Sequence, residues 1–326
     1  MPRIGGKILP LFRGRSGFVS GEEISRELNV SRTAVWKHIN RLRTEGYVID
    51  AIPSQGYRLV SNPDIMSAEE IAAETGAKNV IGSKIVCLGE TGSTNAEAFR
   101  MAAEGEAHGT VVFAESQLNG KGRLGRRWES PPGANIYCSV ILRPDIMPHE
   151  APQLTFVSAV AVARAIRIST SLAPSIKWPN DIMLQGRKVA GLLNEMSAET
   201  DRINFVILGI GVNVNMTGEQ FPPDIRYPAT SLFLEHGDRL SRNDFAAVML
   251  KELDQLYCGF VADGFAPARM EWQSLCNANG RAVTVSDSGR EVVSGMFAGI
   301  DDDGAMLVRR GGSDIVRILT GDVRIS

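Results

Sequence analysis

Between Glu115 and Trp128 the chain reads Glu-Ser-Gln-Leu-Asn-Gly-Lys-Gly-Arg-Leu-Gly-Arg-Arg-Trp, which places glycines at 120, 122 and 125 among four cations, Lys121, Arg123, Arg126 and Arg127. Glycine lets backbone amides approach a bound group closely, and lysine and arginine neutralise it. The chemistry is that of a loop wrapped around a phosphate or carboxylate. The same glycines satisfy the dinucleotide pattern G-x-G-x-x-G, whose last glycine must open a helix. Here Pro131, Pro132 and Gly133 follow shortly after Arg127, so no helix can open and the dinucleotide reading fails. A second group, Lys177-Trp178-Pro179-Asn180-Asp181, precedes Gly186-Arg187-Lys188-Val189-Ala190-Gly191 and sets cations, an amide and a carboxylate between apolar segments. A third, Gly209-Ile210-Gly211-Val212-Asn213, ends an apolar run on an amide. Ser93-Thr94-Asn95, at the head of an expected helix, is by itself an ordinary cap. Its interest lies in its company.

These groups need a frame to bring them together. Strands are expected at Ile85–Leu88, Gly109–Glu115, Ile136–Leu142 and Phe205–Val214, with Pro179 interrupting a further extended stretch. Helices are expected from the Ser93 cap to about Glu104 and, buried, from Pro152 to about Ser169. One sheet carrying one ligand would unite the groups. Asn243–Val261 reads as a long core helix. From Arg281 short strands alternate with turns, as in a small β-barrel. Asp301, Asp302 and Asp303 invite a calcium loop, but the twelfth position from Asp301 is Gly312 rather than Glu, so a solvated turn is expected.

Ahead of this frame stands a different module. Gly21–Leu28, a short turn and a helix beginning at the cap Ser31 are followed by two short strands around Pro53–Gly56, giving a winged helix-turn-helix. Val35, Ile39 and Leu42 form the buried stripe of the second helix, which leaves Arg32, Thr33, Trp36, Lys37, Asn40 and Arg41 facing outward and Arg58 on the wing. Residues 1–62 hold 10 of the 35 Lys plus Arg but only 5 of the 37 Asp plus Glu, leaving 25 cations against 32 anions elsewhere. A basic module on an acidic body points to DNA as its partner, with those seven side chains reaching bases or phosphates. Protein docking is the alternative use of such a module.

The order of Ser93-Thr94-Asn95, Gln117 with Gly120-Lys121-Gly122-Arg123, Lys177-Trp178-Pro179-Asn180-Asp181, Arg187-Lys188 with Ala190-Gly191, and Gly209-Ile210-Gly211-Val212-Asn213 resembles the biotin-protein ligases. With the winged helix in front, the chain resembles the bifunctional kind that also represses the biotin operon. The resemblance spans essentially the whole length. It implies an α+β protein with three domains: a winged helix-turn-helix at 1–62, a class II synthetase-like ligase core with a mixed sheet at 65–270, and an SH3-like β-barrel at 271–326. It also implies ATP-dependent formation of biotinyl-5'-AMP and transfer of biotin to a lysine of a biotin carboxyl carrier protein, with Mg2+ assisting and the adenylate promoting homodimerisation on operator DNA.

Position by position, the resemblance implies that Ser93, Thr94, Asn95 and Gln117 hold the ureido end of biotin, while Lys121, Gly122, Arg123 and Lys188 close over its carboxylate. Arg123, Arg126, Trp128, Lys177, Asn180 and Asn213 would attend the nucleotide. Lys188, Arg123 and Asp181 would act at the reacting centre. The family more often has Arg where Lys121 stands, and Lys keeps the charge without the planar fork.

Several function classes recede. Cysteines at 87, 138, 258 and 276 form no C-x-x-C pair and the four histidines are scattered, so no metal site or disulfide framework is assigned and a cytoplasmic location is expected. No apolar run reaches the roughly 18 residues of a membrane span. Three alternatives keep the family chemistry but change its use: a ligase with a non-regulatory winged helix, a sensor with a degenerate site, and a lipoate-protein ligase. The sensor is disfavoured by the full set of cations, and the lipoate enzyme by the basic glycine loop and the winged helix.

Overall fold

The computed structural model describes residues 8–12, 17–44, 46–61, 64–76, 79–223, 225, 227–287, 290–312 and 314–326. Asn62 and Pro63 at the expected domain boundary, Glu45, and Ser288 and Gly289 of an expected turn lie outside the described residues. The chain divides into two compact units, Met1–Ile65 and Met66–Ser326.

In the first unit, helix α1 (Gly21–Leu28) starts on Ser20, whose Oγ accepts from the Glu23 amide at 3.1 Å, and stops at Asn29 in the left-handed region. Asn tolerates that conformation, which turns the chain into α2 (Arg32–Thr44). Val35, Ile39 and Leu42 recur at helical spacing and pack with Ile24, Val19 and Ile49 into a core of their own. Strands β1 (Val48–Ile52) and β2 (Gly56–Ser61) pair antiparallel as the wing. Gly56 permits that turn, having φ +112° and leaving no room for a Cβ beside the Val19 carbonyl.

The second unit opens with α3 (Ala68–Thr75), capped by Ser67. There follow β3 (Lys84–Thr91), α4 (Thr94–Ala103), β4 (Thr110–Gln117), β5 (Ile136–Leu142) and α5 (Gln153–Thr170). Next come β6 (Ser175–Lys177), β7 (Asp181–Leu184), β8 (Arg187–Ala198) and β9 (Ile203–Val212). These strands form one seven-stranded sheet in the order β3-β4-β5-β9-β8-β7-β6. Only β3 and β4 run parallel; the other neighbours are antiparallel.

Alternation along β4 shows why the sheet is covered on both faces. Val111 and Phe113 join the core built around α5, while Val112 turns to the opposite face with Ala98 and Ala102 of α4. α5 lies in the longest apolar stretch of the chain. Pro148–Thr170 has the length and composition to cross a membrane, but 72% of its window is buried inside the protein, which marks it as a core helix.

Beyond the sheet lie α6 (Leu232–His236), α7 (Arg242–Asp263) and α8 (Ala266–Leu275). Helices α6 and α8, 5 and 10 residues long, are too short for their apolar spacing to announce them. The expected small barrel is a five-stranded antiparallel sheet of β10 (Ala282–Asp287), β11 (Arg290–Ile300), β12 (Met306–Gly311), β13 (Asp314–Ile318) and β14 (Asp322–Ile325), ordered β13-β12-β11-β10-β14. Its last strand closes against β10 rather than extending the hairpin series. Val283, Val285 and Phe297 share one continuous core with Trp272 of α8 and with α5, so this sheet belongs to the same compact unit as the seven-stranded one. Asp301 accepts from the amides of Asp303 and Ala305 at 3.0 Å and pairs with Arg317. The acidic triplet is a closed turn with its own counter-ion.

Candidate active site

A cavity of about 600 Å³ opens above the seven-stranded sheet and is lined by residues from all the groups that the sequence singled out. One end is made of small polar side chains. Ser93 precedes α4 and makes no side-chain cap bond, while Thr94 and Asn95 form the first turn. The Gln117 Oε1, at the end of β4, accepts from the Thr94 amide at 2.8 Å and from its hydroxyl at 3.1 Å. Asn95 donates from Nδ2 to the Leu193 carbonyl at 3.2 Å and to Glu195 at 2.7 Å. Gly209 leaves the space that Asn95 occupies, since a Cβ there would overlap the Asn95 amide and lie 2.9 Å from the Leu193 oxygen. Ser93, Thr94 and Asn95 are each buried, so this end is already formed with its hydrogen bonds in place.

The other end is cationic. The glycine loop is held to itself: Gly122 donates to Arg126 at 2.7 Å and Trp128 to Gly120 at 2.9 Å, while Leu124 (φ +57°) and Gly125 (φ +70°) make the bend. Folding the loop back lays the Trp128 indole over the sheet, where Gly191 and Gly211 admit it. A Cβ at Gly211 would come within 2.7 Å of the ring and one at Gly191 within 3.1 Å. The Trp128 Nε1 is buried without a hydrogen-bond partner, a donor left for a ligand to satisfy. Lys188 lies with Nζ 5.2 Å from the Trp128 ring centroid and 2.5 Å from the Asp181 carboxylate.

Arg123 reaches Asn180 Oδ1 at 3.4 Å and the Thr320 hydroxyl at 3.1 Å. Burial lowers the pKa of its guanidinium, with Asp181 and Asp322 partly offsetting that loss. Arg126 pairs with Asp322 at 2.5 Å, and this contact raises its pKa. Lys177 sits 4.7 Å from the Tyr227 ring and has its pKa lowered, chiefly by burial. Arginine remains charged throughout the ordinary pH range, so this end concentrates positive charge under a partly desolvated wall. Lys121 also lines it, its backbone paired antiparallel with that of Arg127 across the loop.

Residues 91–213 match the Biotin/lipoate A/B protein ligase family, residues 7–58 an HTH domain, and residues 279–325 the Biotin protein ligase C terminal domain. The chain is similar to the bifunctional ligase/repressor BirA of Bacillus spizizenii, with 38% identity over 95% of this chain and 94% of that one. It resembles BirA of Escherichia coli at 32% over 90% of this chain and 89% of that one. Among solved structures, biotin protein ligase from Aquifex aeolicus in complex with biotin and ATP superposes with a TM-score of 0.65 at 29% identity, covering 74% of this chain and 99% of that chain. The chain belongs to the bifunctional ligase/repressor family of biotin protein ligases.

The structure of this biotin protein ligase brings together every site residue that the sequence singled out in the second unit. Asn180 and Asn213 are also there, though their side-chain amides bond to backbone, Asn180 to the Leu192 carbonyl at 2.6 Å and Asn213 to the Thr230 carbonyl at 3.0 Å. They shape that part of the cavity wall. Sequence reading missed Ser139, Glu195, Ser130, Thr320, Asp322 and Tyr227. Ser139 was visible as the one polar side chain in the apolar run Ile136–Leu142; Thr320 and Asp322, near the C-terminus, carried no local signal.

In the first unit, Thr33, Trp36, Lys37 and Arg41 are exposed on the outer side of α2, and Asn40 is half-buried. Arg32 pairs with Glu22 at 2.8 Å and Arg58 with Asp50 at 2.8 Å, Arg58 also lying over the Phe18 ring at 4.8 Å. The exposed face of α2 is therefore a polar and cationic surface with a tryptophan at its centre, the side-chain chemistry that a major groove accepts.

Proposed function

We propose that this ligase joins biotin to ATP as biotinyl-5'-AMP, transfers biotin to a lysine of a biotin carboxyl carrier protein, and, as an adenylate-bound homodimer, represses biotin synthesis through paired winged helices. The observation that carries this reading is a single cavity with a fixed polar end and a cationic end, each lined by the side chains that the family chemistry requires. Ser93, Thr94, Asn95 and Gln117 take the ureido ring. Lys121, Gly122, Arg123 and Lys188 take the carboxylate, and Arg123, Arg126, Trp128, Lys177, Asn180 and Asn213 the nucleotide.

In the first step a carboxylate oxygen of biotin attacks the α-phosphorus, and the bond to pyrophosphate breaks. Two anions must meet, so the work of Lys188 and Arg123 is to neutralise and align them. Lys188 begins in an ion pair with Asp181; the incoming anion exchanges with that carboxylate, leaving Asp181 beside the reacting centre. In the second step the acceptor amine attacks the acyl carbon, AMP departs, and the amine's proton must be removed. A lysine amine has a reference pKa of about 10.4, and Asp181, released from Lys188, is the carboxylate placed to help. An Asp181→Asn protein that transfers biotin from purified adenylate at the unaltered rate would remove it from that role.

Mg2+ fits here as a partner of the triphosphate. Among the described residues no three His, Cys, Asp or Glu side chains converge on a metal position, and Mg2+ characteristically takes substrate phosphate oxygens, waters and at most one or two carboxylates. Its contribution when bound is to neutralise charge on the phosphates. Cysteines 87, 138, 258 and 276 are all unpaired as thiols, in keeping with a cytoplasmic location.

Sedimentation with and without biotin plus Mg-ATP, with pyrophosphate followed in the same sample, tests the reading. Pyrophosphate release with a monomer-to-dimer shift is the expected result. Release without the shift would leave a ligase whose winged helix is not regulated by the adenylate, and no release would overturn the ligase assignment.

A further inference from the structure

Behind the polar end of the cavity runs a chain of hydrogen bonds whose far members, Ser139 and Glu195, do not line the cavity. Ser139 of β5 pairs with Gly209 of β9, which pairs in turn with Leu193 of β8, so the three stand in one row across the sheet. Glu195 is two residues further along β8 and therefore on the same face as Leu193. Asn95 lies over this row in the space left by Gly209. We propose that Glu195 is a positioning residue that sets, through Asn95 and Ser139, the hydrogen-bond polarity of Thr94 and thereby the specificity of the site for a ring N–H. This rests on the biotin ligase reading of the cavity and adds to it a residue outside the ligand's reach.

Proton accounting gives the direction. A carboxylate only accepts, so Glu195 at 2.7 Å and the Leu193 carbonyl at 3.2 Å together take both protons of Asn95 Nδ2. The Asn95 amide cannot then be flipped, and its Oδ1 must face Ser139. Ser139 is fully buried and has one proton; with its Oγ 2.7 Å from Asn95 Oδ1, it donates there. That proton is thereby drawn away from its other acceptor, the Thr94 hydroxyl at 2.9 Å. The single Thr94 proton goes inward to Gln117 Oε1 at 3.1 Å. Thr94 is left to present lone pairs to the cavity. Gln117 is fixed in the same way, because its Oε1 accepts from the Thr94 amide and its Nε2 donates to Ser130 at 3.0 Å. The end of the cavity thus offers an acceptor at Thr94, while the Ser93 hydroxyl, which makes no cap bond, remains as a donor. A cyclic urea, with N–H beside C=O, matches that pairing. A networked polar wall of this kind acts as a unit.

The test is a double-mutant cycle on the full-length protein, with Glu195→Gln, Ser139→Ala and the pair, read as pyrophosphate release with biotin. The comparison substrates are the two analogues in which one or the other ureido N–H is replaced by a ring oxygen. Gln at 195 can donate as well as accept, so the direction is no longer imposed. Glu195→Gln should raise KM for biotin roughly tenfold, with KM for ATP and kcat nearly unchanged. It should also reduce several-fold the preference of the wild-type protein for biotin over the poorer analogue. On the Ser139→Ala background the same change should have little further effect, since the relay is already cut.

Multiplying effects in the double variant, unchanged discrimination, or a KM for ATP that rises equally would each overturn the relay. Should Glu195→Gln not fold, Ser139→Ala alone decides: a raised KM for biotin with weakened discrimination supports the relay, and wild-type values overturn it. Absence of pyrophosphate release from the wild-type protein with biotin would instead overturn the reading on which the relay rests.

Discussion

The two ends of the cavity are built on opposite principles. At the polar end the side chains are short, largely buried and bonded to one another, so Thr94, Asn95, Ser139 and Gln117 hold their places before any ligand arrives. At the anion end the side chains are long and half-exposed, and three of the cations are held by protein partners: Lys188 by Asp181, Arg126 by Asp322, and Arg123 by Thr320 and Asn180. The first end is pre-formed and offers a fixed set of hydrogen bonds. At the second, Lys188 and Arg126 rest on protein carboxylates, which the phosphate and carboxylate of the proposed substrates would replace. A neutral ring can be met by a finished surface, but two reacting anions need cations whose positions adjust as charge moves.

That contrast is open to breakage, first at its strongest point. Lys188→Ala should lower pyrophosphate release by about a hundredfold, the upper end of what one charge-assisted contact contributes, with the circular dichroism of the folded protein unchanged. Activity kept above a tenth of wild type would mean that the anion end does not depend on this cation. Gly209→Ala attacks the rigid end: a methyl forced against Asn95 and the Leu193 carbonyl should raise Kd for biotin by roughly ten- to a hundredfold, in line with overpacking, with ATP binding much less affected. Equal loss of both ligands in calorimetry would show that the two ends are not independent.

A smaller effect is expected at Gly211→Ala, because the atoms in the way belong to the Trp128 side chain, which sits on the loop and can shift. An increase of about fivefold in KM for ATP, again on the scale of overpacking, with KM for biotin raised less, would place Trp128 on the nucleotide side; the reverse order would move it to the biotin side. The smallest effect belongs to Asp322→Asn. Its ion pair with Arg126 is part-exposed, and such pairs contribute about 0.2 to 1 kcal/mol and weaken in salt. KM for ATP should change about twofold at low ionic strength, and the difference should vanish at high salt. A change of tenfold or more would mean that Asp322 does more than hold a counter-charge.

The same contrast governs how much was legible beforehand. The glycine loop, the Lys177–Asp181 and Arg187–Lys188 groups and the glycines at 209 and 211 stand out because charge and glycine are unusual within apolar strands. The wall behind them does not. Ser139 looks like a small interruption of a strand, and Glu195 like a surface carboxylate. Thr320 and Asp322 lie nearly two hundred residues from the arginines they hold. Helices α6 and α8 and strand β14 also went unread, since elements this short leave little periodic signal.

What the chain determined by itself was the list of chemical groups and the elements that carry them. Helical spacing, strand alternation, caps and glycines are local properties, decided within a few residues. Only the tertiary structure decided which groups face one another. Sheet register sets Ser139, Gly209 and Leu193 in a row, and the return of β14 to β10 brings Asp322 to Arg126. Those meetings follow from strand order and from the shared core of both sheets, and a one-residue slip in register would turn every such side chain to the other face.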